Sequence, residues 1–226
     1  LEEQLKTGSP VVALPCLEGI LILSVSAGTQ KIYEIYDRVV LGALGHPADV
    51  ERLRNVILDM AHLEGFNRSP EDVTARRLIQ FGLAPMVKQA FEEIGHAPFI
   101  IRLLIAEIDA LKKRIFYTLN YDGVFKEESR GALLSPPGEA TERMESALSS
   151  IEGSATRPMT ELFPEALRLW ALGETTEDQI EGHLKKVLKE RSLEAALLSA
   201  SLPGTAKYRL LTKDELSELT KKWITP

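Results

Sequence analysis

KIYEIYDRVVLGALGHPADVERLR, residues 31–54, decides the architecture of this 226-residue chain. Lys31–Ile35 reads as a short charged strand, and Arg38–Ala43 as a strand apolar enough to be buried. A glycine turn follows, and the periodicity then changes. From Ala48 onward, Val50, Leu53, Ile57 and Met60 recur at steps of three and four, one face of an amphipathic helix. Pro47 suits its first turn, where a missing N–H costs nothing.

Outward from this segment the same alternation of strand pairs and helix pairs continues. Upstream, Val11–Leu14 and Gly19–Val25 read as two strands around the turn at 15–19, and Leu1–Thr7 as the end of a helix closed by Gly8. Downstream, a second helix is expected from Ser69 as cap, Pro70 in the first turn and Asp72 at the capping-box position. It should run to about Glu93, with Gly82 and Pro85 bending it and Gly95 ending it. Phe99–Ile108, Arg114–Asn120 and Val124–Leu134 read as strands, the last two joined by the Tyr121-Asp122-Gly123 turn. Helices are expected around Glu139–Ile151, Thr160–Leu172 and Thr176–Arg191, then strands Leu193–Ala200 and Lys207–Leu211, then a helix from Asp214 to Trp223. Helices that come in consecutive groups between antiparallel strands imply an α/β (α+β) layered sandwich, two sheets inside and helices outside, in one domain over residues 1–226.

Composition narrows the function. A net charge of −6 with interspersed signs argues against a nucleic-acid partner. No apolar run approaches the ~20 residues of a membrane span, and no signal peptide is visible. The single cysteine, Cys16, suits a reducing compartment and sits in an apolar run as a small buried hydrophobe. His46, His62, His96 and His183 are too scattered for a metal motif, so no metal and no cofactor is expected. His62 falls opposite the apolar stripe, and His46 reads as a turn residue beside Gly45. Glu92-Glu93 and Glu127-Glu128 read as solvated faces, Trp170 and Trp223 as buried anchors. The spacing of Gly42 and Gly45 fits neither a dinucleotide nor a Walker loop.

Several pieces taken in order resemble the proteasome family, most closely bacterial α-type, non-catalytic subunits. SPVVALPCLEGILIL resembles the family's first hairpin, QKIYEIYDRV its second, GHPADVERLR the start of its first helix and SPEDVTARRL the start of its second. YDG, SLEAALL and KYRLLTKDEL resemble its middle turn, penultimate strand and last strand–helix unit. The helix at Thr176–Arg191 looks longer than the family's, and the bend before Lys31 shorter. The resemblance implies a four-layer αββα, N-terminal-nucleophile hydrolase-like fold, with residues 1–8 as the remnant of an extra N-terminal helix. The first residue is Leu1, and an upstream segment, expected to form the gate, would precede it.

Catalytic β-type members use an N-terminal threonine whose α-amine serves as base, tuned by a lysine and an aspartate. Aligned on VVAL, Ser9 takes the nucleophile position, Lys31 the lysine position and Val25 the aspartate position. Pro10 follows Ser9, and the carboxylate is missing, so the resemblance implies no catalytic residue and no enzyme activity in this chain. In α-type members the lysine instead pairs with the C-terminal carboxylate of a docked activator, and a small residue, here Gly45, lets the activator's backbone approach. The implied function is a cytoplasmic, homo-oligomeric ring of seven subunits that gates substrate admission. Its implied partners are catalytic β-type subunits and an ATP-dependent unfoldase or other activator. Two alternatives stand beside it: a self-compartmentalised hydrolase using Ser9, and a diverged self-assembling scaffold.

Overall fold

The computed structural model describes residues 1–95 and 97–224. A single helical turn, α1 (Glu2–Leu5), precedes the hairpin β1 (Val11–Cys16) and β2 (Gly19–Ser26) and the hairpin β3 (Ile32–Tyr36) and β4 (Val39–Gly45). The helices α2 (Pro47–Asn67), α3 (Ala75–Leu78) and α4 (Ala84–Glu92) follow. Next come β5 (Ile101–Ile108), β6 (Arg114–Asn120), β7 (Phe125–Glu128) and β8 (Ala132–Leu134). Then α5 (Glu139–Ser149), α6 (Met159–Leu172) and α7 (Ile180–Glu190) lead to β9 (Ser192–Ser199), β10 (Tyr208–Leu210) and α8 (Lys213–Ile224).

The strands form two five-stranded antiparallel sheets, in the orders β10-β9-β2-β1-β8 and β3-β4-β5-β6-β7. Strand periodicity explains how three apolar layers arise from them. Along β1 and β2, Val12, Leu14, Leu21, Leu23 and Val25 pack against α6 and its neighbours. Their alternates Val11, Ala13, Ile20 and Ile22 pack between the sheets with Val40, Leu104 and Phe116. On the far side Leu41, Leu103 and Ile105 meet Leu53, Ile57 and Val87 of α2 and α4. Helices, sheet, sheet, helices: this is the layered sandwich that the order of the elements predicts and the four-layer αββα fold that the resemblance implies.

The structure corrects several boundaries. Val124–Leu134 is not one strand: β7 pairs with β6, whereas β8 crosses to the other sheet and pairs with β1. Gly131, at φ +131°, makes the crossing, and a Cβ there would stand 2.6 Å from the Ala13 carbonyl oxygen. The Ser69–Asp72 capping pattern starts only a 3₁₀ turn over Pro70–Asp72. The helix itself begins at Ala75, capped by Thr74, whose Oγ1 accepts from Arg77 N at 3.4 Å. The expected bend is a π-helical segment, Ile79–Leu83, just before Pro85. A Cβ on Gly82 would meet Met60 Sδ at 2.1 Å, so glycine lets α2 lie close there. The helix expected over Thr176–Arg191 divides into a 3₁₀ turn, Glu177–Gln179, and α7. Trp170 and Trp223 are buried as expected and His62 is exposed, while His96 lies outside the described residues.

Glu107 is a buried carboxyl in the middle of the second sheet, and its Oε2 accepts the Ala75 N–H at 2.8 Å. Burial pushes its pKa above the ordinary 4.5, opposed by that hydrogen bond and by Arg38. The folded state therefore holds this proton more tightly than the unfolded chain. The group's contribution favours folding at low pH and is lost as pH rises through the folded pKa. Glu107→Gln keeps an acceptor for Ala75 without the charge. Its stability relative to the parent is expected to improve as pH rises from about 4.5 to about 7. Urea unfolding at matched protein concentration measures this, and a difference that stays flat over that range would count against it.

Candidate functional site

A cleft of about 530 Å³ opens where the two sheets part at one end. The end of β2, the residues before β3, the end of β4 and the first turn of α2 form its walls, closed by Gln4, residues 7–9, Glu174 and Arg191. Ser9, Lys31 and Gly45, the residues marked by sequence, all line it, together with His46, which the sequence reads as a turn residue.

Lys31 is placed by its backbone. Its N–H donates to Glu194 Oε2 at 2.9 Å, the next N–H, of Ile32, donates to Oε1 at 3.3 Å, and its carbonyl accepts from Ala43 N at 2.9 Å. Glu194 belongs to β9, so this carboxylate ties the start of β3 in one sheet to a strand of the other. The Lys31 side chain is partly buried, and among the described residues its Nζ makes no hydrogen bond or ion pair. Burial lowers its pKa, opposed by the charges of Glu194 and Glu174. For Glu194, burial raises the pKa, opposed by the two backbone N–H groups and by Lys31. In both groups burial, which disfavours the charged form, is the largest cause of the shift.

Gly45 ends β4 at φ +147°, and a Cβ there would lie 2.0 Å from the Ile100 carbonyl oxygen. The same oxygen accepts from His46 N at 2.8 Å, so strand β4 turns into α2 pressed against the chain entering β5. His46 is the N-cap residue of α2 without a side-chain capping bond. Asp49 secures the turn by accepting from Ile100 N at 2.9 Å.

The Ser9 hydroxyl donates to the Val25 carbonyl and accepts from Trp170 Nε1 at 3.2 Å. Ser24 donates to the Pro10 carbonyl at 2.6 Å, and Ser26 to that of Thr29 at 2.6 Å. The Ser9 and Ser24 hydroxyls fasten the start of β1 to the end of β2, and that of Ser26 closes the bend after β2. Val25, at the aligned aspartate position, is fully buried among the apolar residues facing α6.

Three further members were not marked by sequence. Glu174 receives Arg191 Nη1 at 2.7 and 2.9 Å on its two oxygens, and His183 Nε2 lies 3.0 Å from Oε2. Arg191 and Glu174 line the cleft, and Glu194 anchors it. Their partners are far away in sequence, and no local pattern marks them; SLEAALL, which contains Glu194, registers only as a strand.

A proteasome-subunit family model matches residues 5–133, from the last residue of α1 through most of β8. The chain belongs to the proteasome subunit family. It is 31% identical to the proteasome subunit alpha of Mycobacterium ulcerans over 222 residues, covering 95% of this chain and 79% of the relative. It is 31% identical to that of Arthrobacter sp. strain FB24 over 225 residues, covering 95% and 88%. For Mycolicibacterium smegmatis the figures are 30% over 219 residues, 94% and 83%. The resemblance to bacterial α-type members thus extends through the α5–α8 half, beyond the matched family segment.

Proposed function

We propose that this chain is a non-catalytic α-type subunit that forms the outer ring of a cytoplasmic proteasome core. In this reading it stacks on catalytic β-type subunits and docks the C-terminal carboxylate of an ATP-dependent unfoldase at Lys31. The names of its relatives support the α-type assignment. The observation that carries the docking role is the Lys31 ammonium, partly desolvated in an open cleft and without an ion-pair partner among the described residues. Such a charge is costly until an anion joins it, and a carboxylate bound there gains a charge-assisted contact out of bulk water. Because burial disfavours the charged form of Lys31, and only this form pairs with an anion, docking should weaken in alkali.

The hydrolase alternative finds less support. The Ser9 hydroxyl is engaged with Val25 and Trp170, and no carboxylate pairs with Lys31 Nζ among the described residues.

Native mass spectrometry of the purified chain, alone and with a β-type partner, tests the assembly. A sevenfold multiple of the 25.1 kDa subunit that grows with the partner is expected. A monomer or dimer indifferent to the partner would sink the ring. For the docking role, Lys31→Ala is expected to abolish unfoldase-stimulated protein degradation while leaving hydrolysis of a small peptide substrate at the parent rate. Unchanged stimulation would remove Lys31 from the docking site.

A further inference from the structure

Glu174 is the acidic residue lining the cleft, and it does not pair with Lys31. Its carboxylate is occupied from the other side. One guanidinium nitrogen of Arg191 bridges both oxygens at 2.7 and 2.9 Å, and His183 Nε2 stands 3.0 Å from one of them. Both holders are themselves fixed. The Arg191 N–H donates to the Val187 carbonyl at 2.8 Å as α7 ends. The His183 ring stacks on the buried Trp170 indole, centroids 6.1 Å apart and planes 20° apart. The backbone of Glu174 is confined as well: a Cβ on the preceding Gly173 would meet Pro10 Cγ at 2.4 Å.

We propose that Arg191, aided by His183, is a positioning residue that holds the Glu174 carboxylate off Lys31 and so keeps the lysine free for an incoming carboxylate. This inference rests on the docking role of Lys31 given above and describes how that site is kept open. The physical reason is competition. A carboxylate on the same chain as its cationic target acts at a high effective concentration, so an unrestrained Glu174 would outcompete a ligand arriving from solution. Its charge already reaches Lys31, whose proton affinity it raises. Glu194, the other carboxylate near Lys31, is restrained differently, by the N–H groups of Lys31 and Ile32. Each of these two carboxylates near Lys31 therefore has its own holder, and among the described residues Lys31 Nζ is left without one.

Rescue separates this role from a merely structural one. The probe is the C-terminal decapeptide of an actinobacterial proteasome-associated unfoldase, labelled with fluorescein, together with its C-terminal amide twin. Binding to the assembled protein is read by fluorescence anisotropy. Arg191→Gln is expected to weaken carboxylate-peptide binding about tenfold, since Glu174, left with His183 as its one remaining holder, then competes for Lys31. Adding Glu174→Gln to that variant is expected to restore binding to within about threefold of the parent. Arg191→Lys, which keeps the charge but not the guanidinium geometry, should fall between the parent and Arg191→Gln. Unaltered binding by Arg191→Gln, or a double variant that stays weak while its thermal unfolding matches the parent's, would overturn the inference. The docking role fails separately, if the parent binds acid and amide peptides equally and Lys31→Ala changes neither.

Discussion

Trp170→Ala is expected to lower the unfolding free energy by about 3–5 kcal/mol, the range for deleting a fully buried large aromatic side chain. Trp170 is completely buried in the layer between α6 and the first sheet, among residues such as Leu162, Leu167 and Leu184. Truncation removes its apolar contacts and leaves a cavity that α6, packed tightly over β1 and β2, can only partly fill. Two polar consequences add to the loss. The Ser9 hydroxyl loses its donor from Nε1, and the His183 ring loses the indole on which it stacks. Set against the roughly 5–15 kcal/mol stability of ordinary domains, this is a large fraction. Trp170→Phe separates the contributions: it keeps much of the volume, loses the N–H, and is expected to cost about 1–3 kcal/mol. Denaturant unfolding followed by circular dichroism, at equal protein concentrations because assembly contributes to apparent stability, measures both. A Trp170→Ala cost under about 1 kcal/mol would mean that the layer repacks freely and that the indole does not support the cleft.

The fold was legible where period and punctuation agree. Residues 31–54 switch from strand to helix spacing across Gly45 and Pro47, and the structure places the switch there, with β4 ending at Gly45 and α2 beginning at Pro47. The failures arise where a distant partner overrides a local signal. The Ser69–Asp72 pattern is a sound capping box on its own, yet the helix waits for Ala75, whose N–H belongs to the buried Glu107 carboxylate of β5. Residues 124–134 put apolar residues at both ends of a polar run, which suits strand conformation equally well in either sheet, so a linear reading could not show that β7 and β8 part company. The candidate site divides in the same way. Ser9, Lys31 and Gly45 stand close to recognisable strand ends and turns, and the resemblance assigns readings to them. Glu194 meets Lys31 across 163 positions of sequence, and Glu174 meets Arg191 only because α6 and α7 fold back on the same sheet. Charges spaced so far apart look like solvated surface in a linear reading.

Gly45→Ala should cost nearly as much as Trp170→Ala, about 2–6 kcal/mol, and should damage the cleft more directly. Backbone conformation gives the first part: at φ +147° a residue with a Cβ is strained by about 1–3 kcal/mol. Steric overlap gives the second. The added carbon would stand 2.0 Å from the Ile100 carbonyl oxygen and 2.8 Å from Ile101 Cα, both backbone atoms that no rotamer change can move aside; overpacking of this kind costs about 1–3 kcal/mol. Relief requires β4 and the start of β5 to separate, which stretches the 2.8 Å hydrogen bond from His46 N to Ile100 O and displaces the first turn of α2. Glycine here is thus demanded by the fold, whatever approaches the cleft from outside. That distinction can be measured. Gly28, also at positive φ (+104°) but with nothing within 4 Å of an added Cβ, supplies the comparison, since alanine there meets strain without overlap. Gly28→Ala is expected to cost about 1–2 kcal/mol and leave carboxylate-peptide binding intact. Gly45→Ala should lose stability and binding together. Were Gly45→Ala to bind poorly yet unfold at the same denaturant concentration as the parent, the close approach to Ile100 would not be what requires glycine, and its role would lie with the docked partner instead.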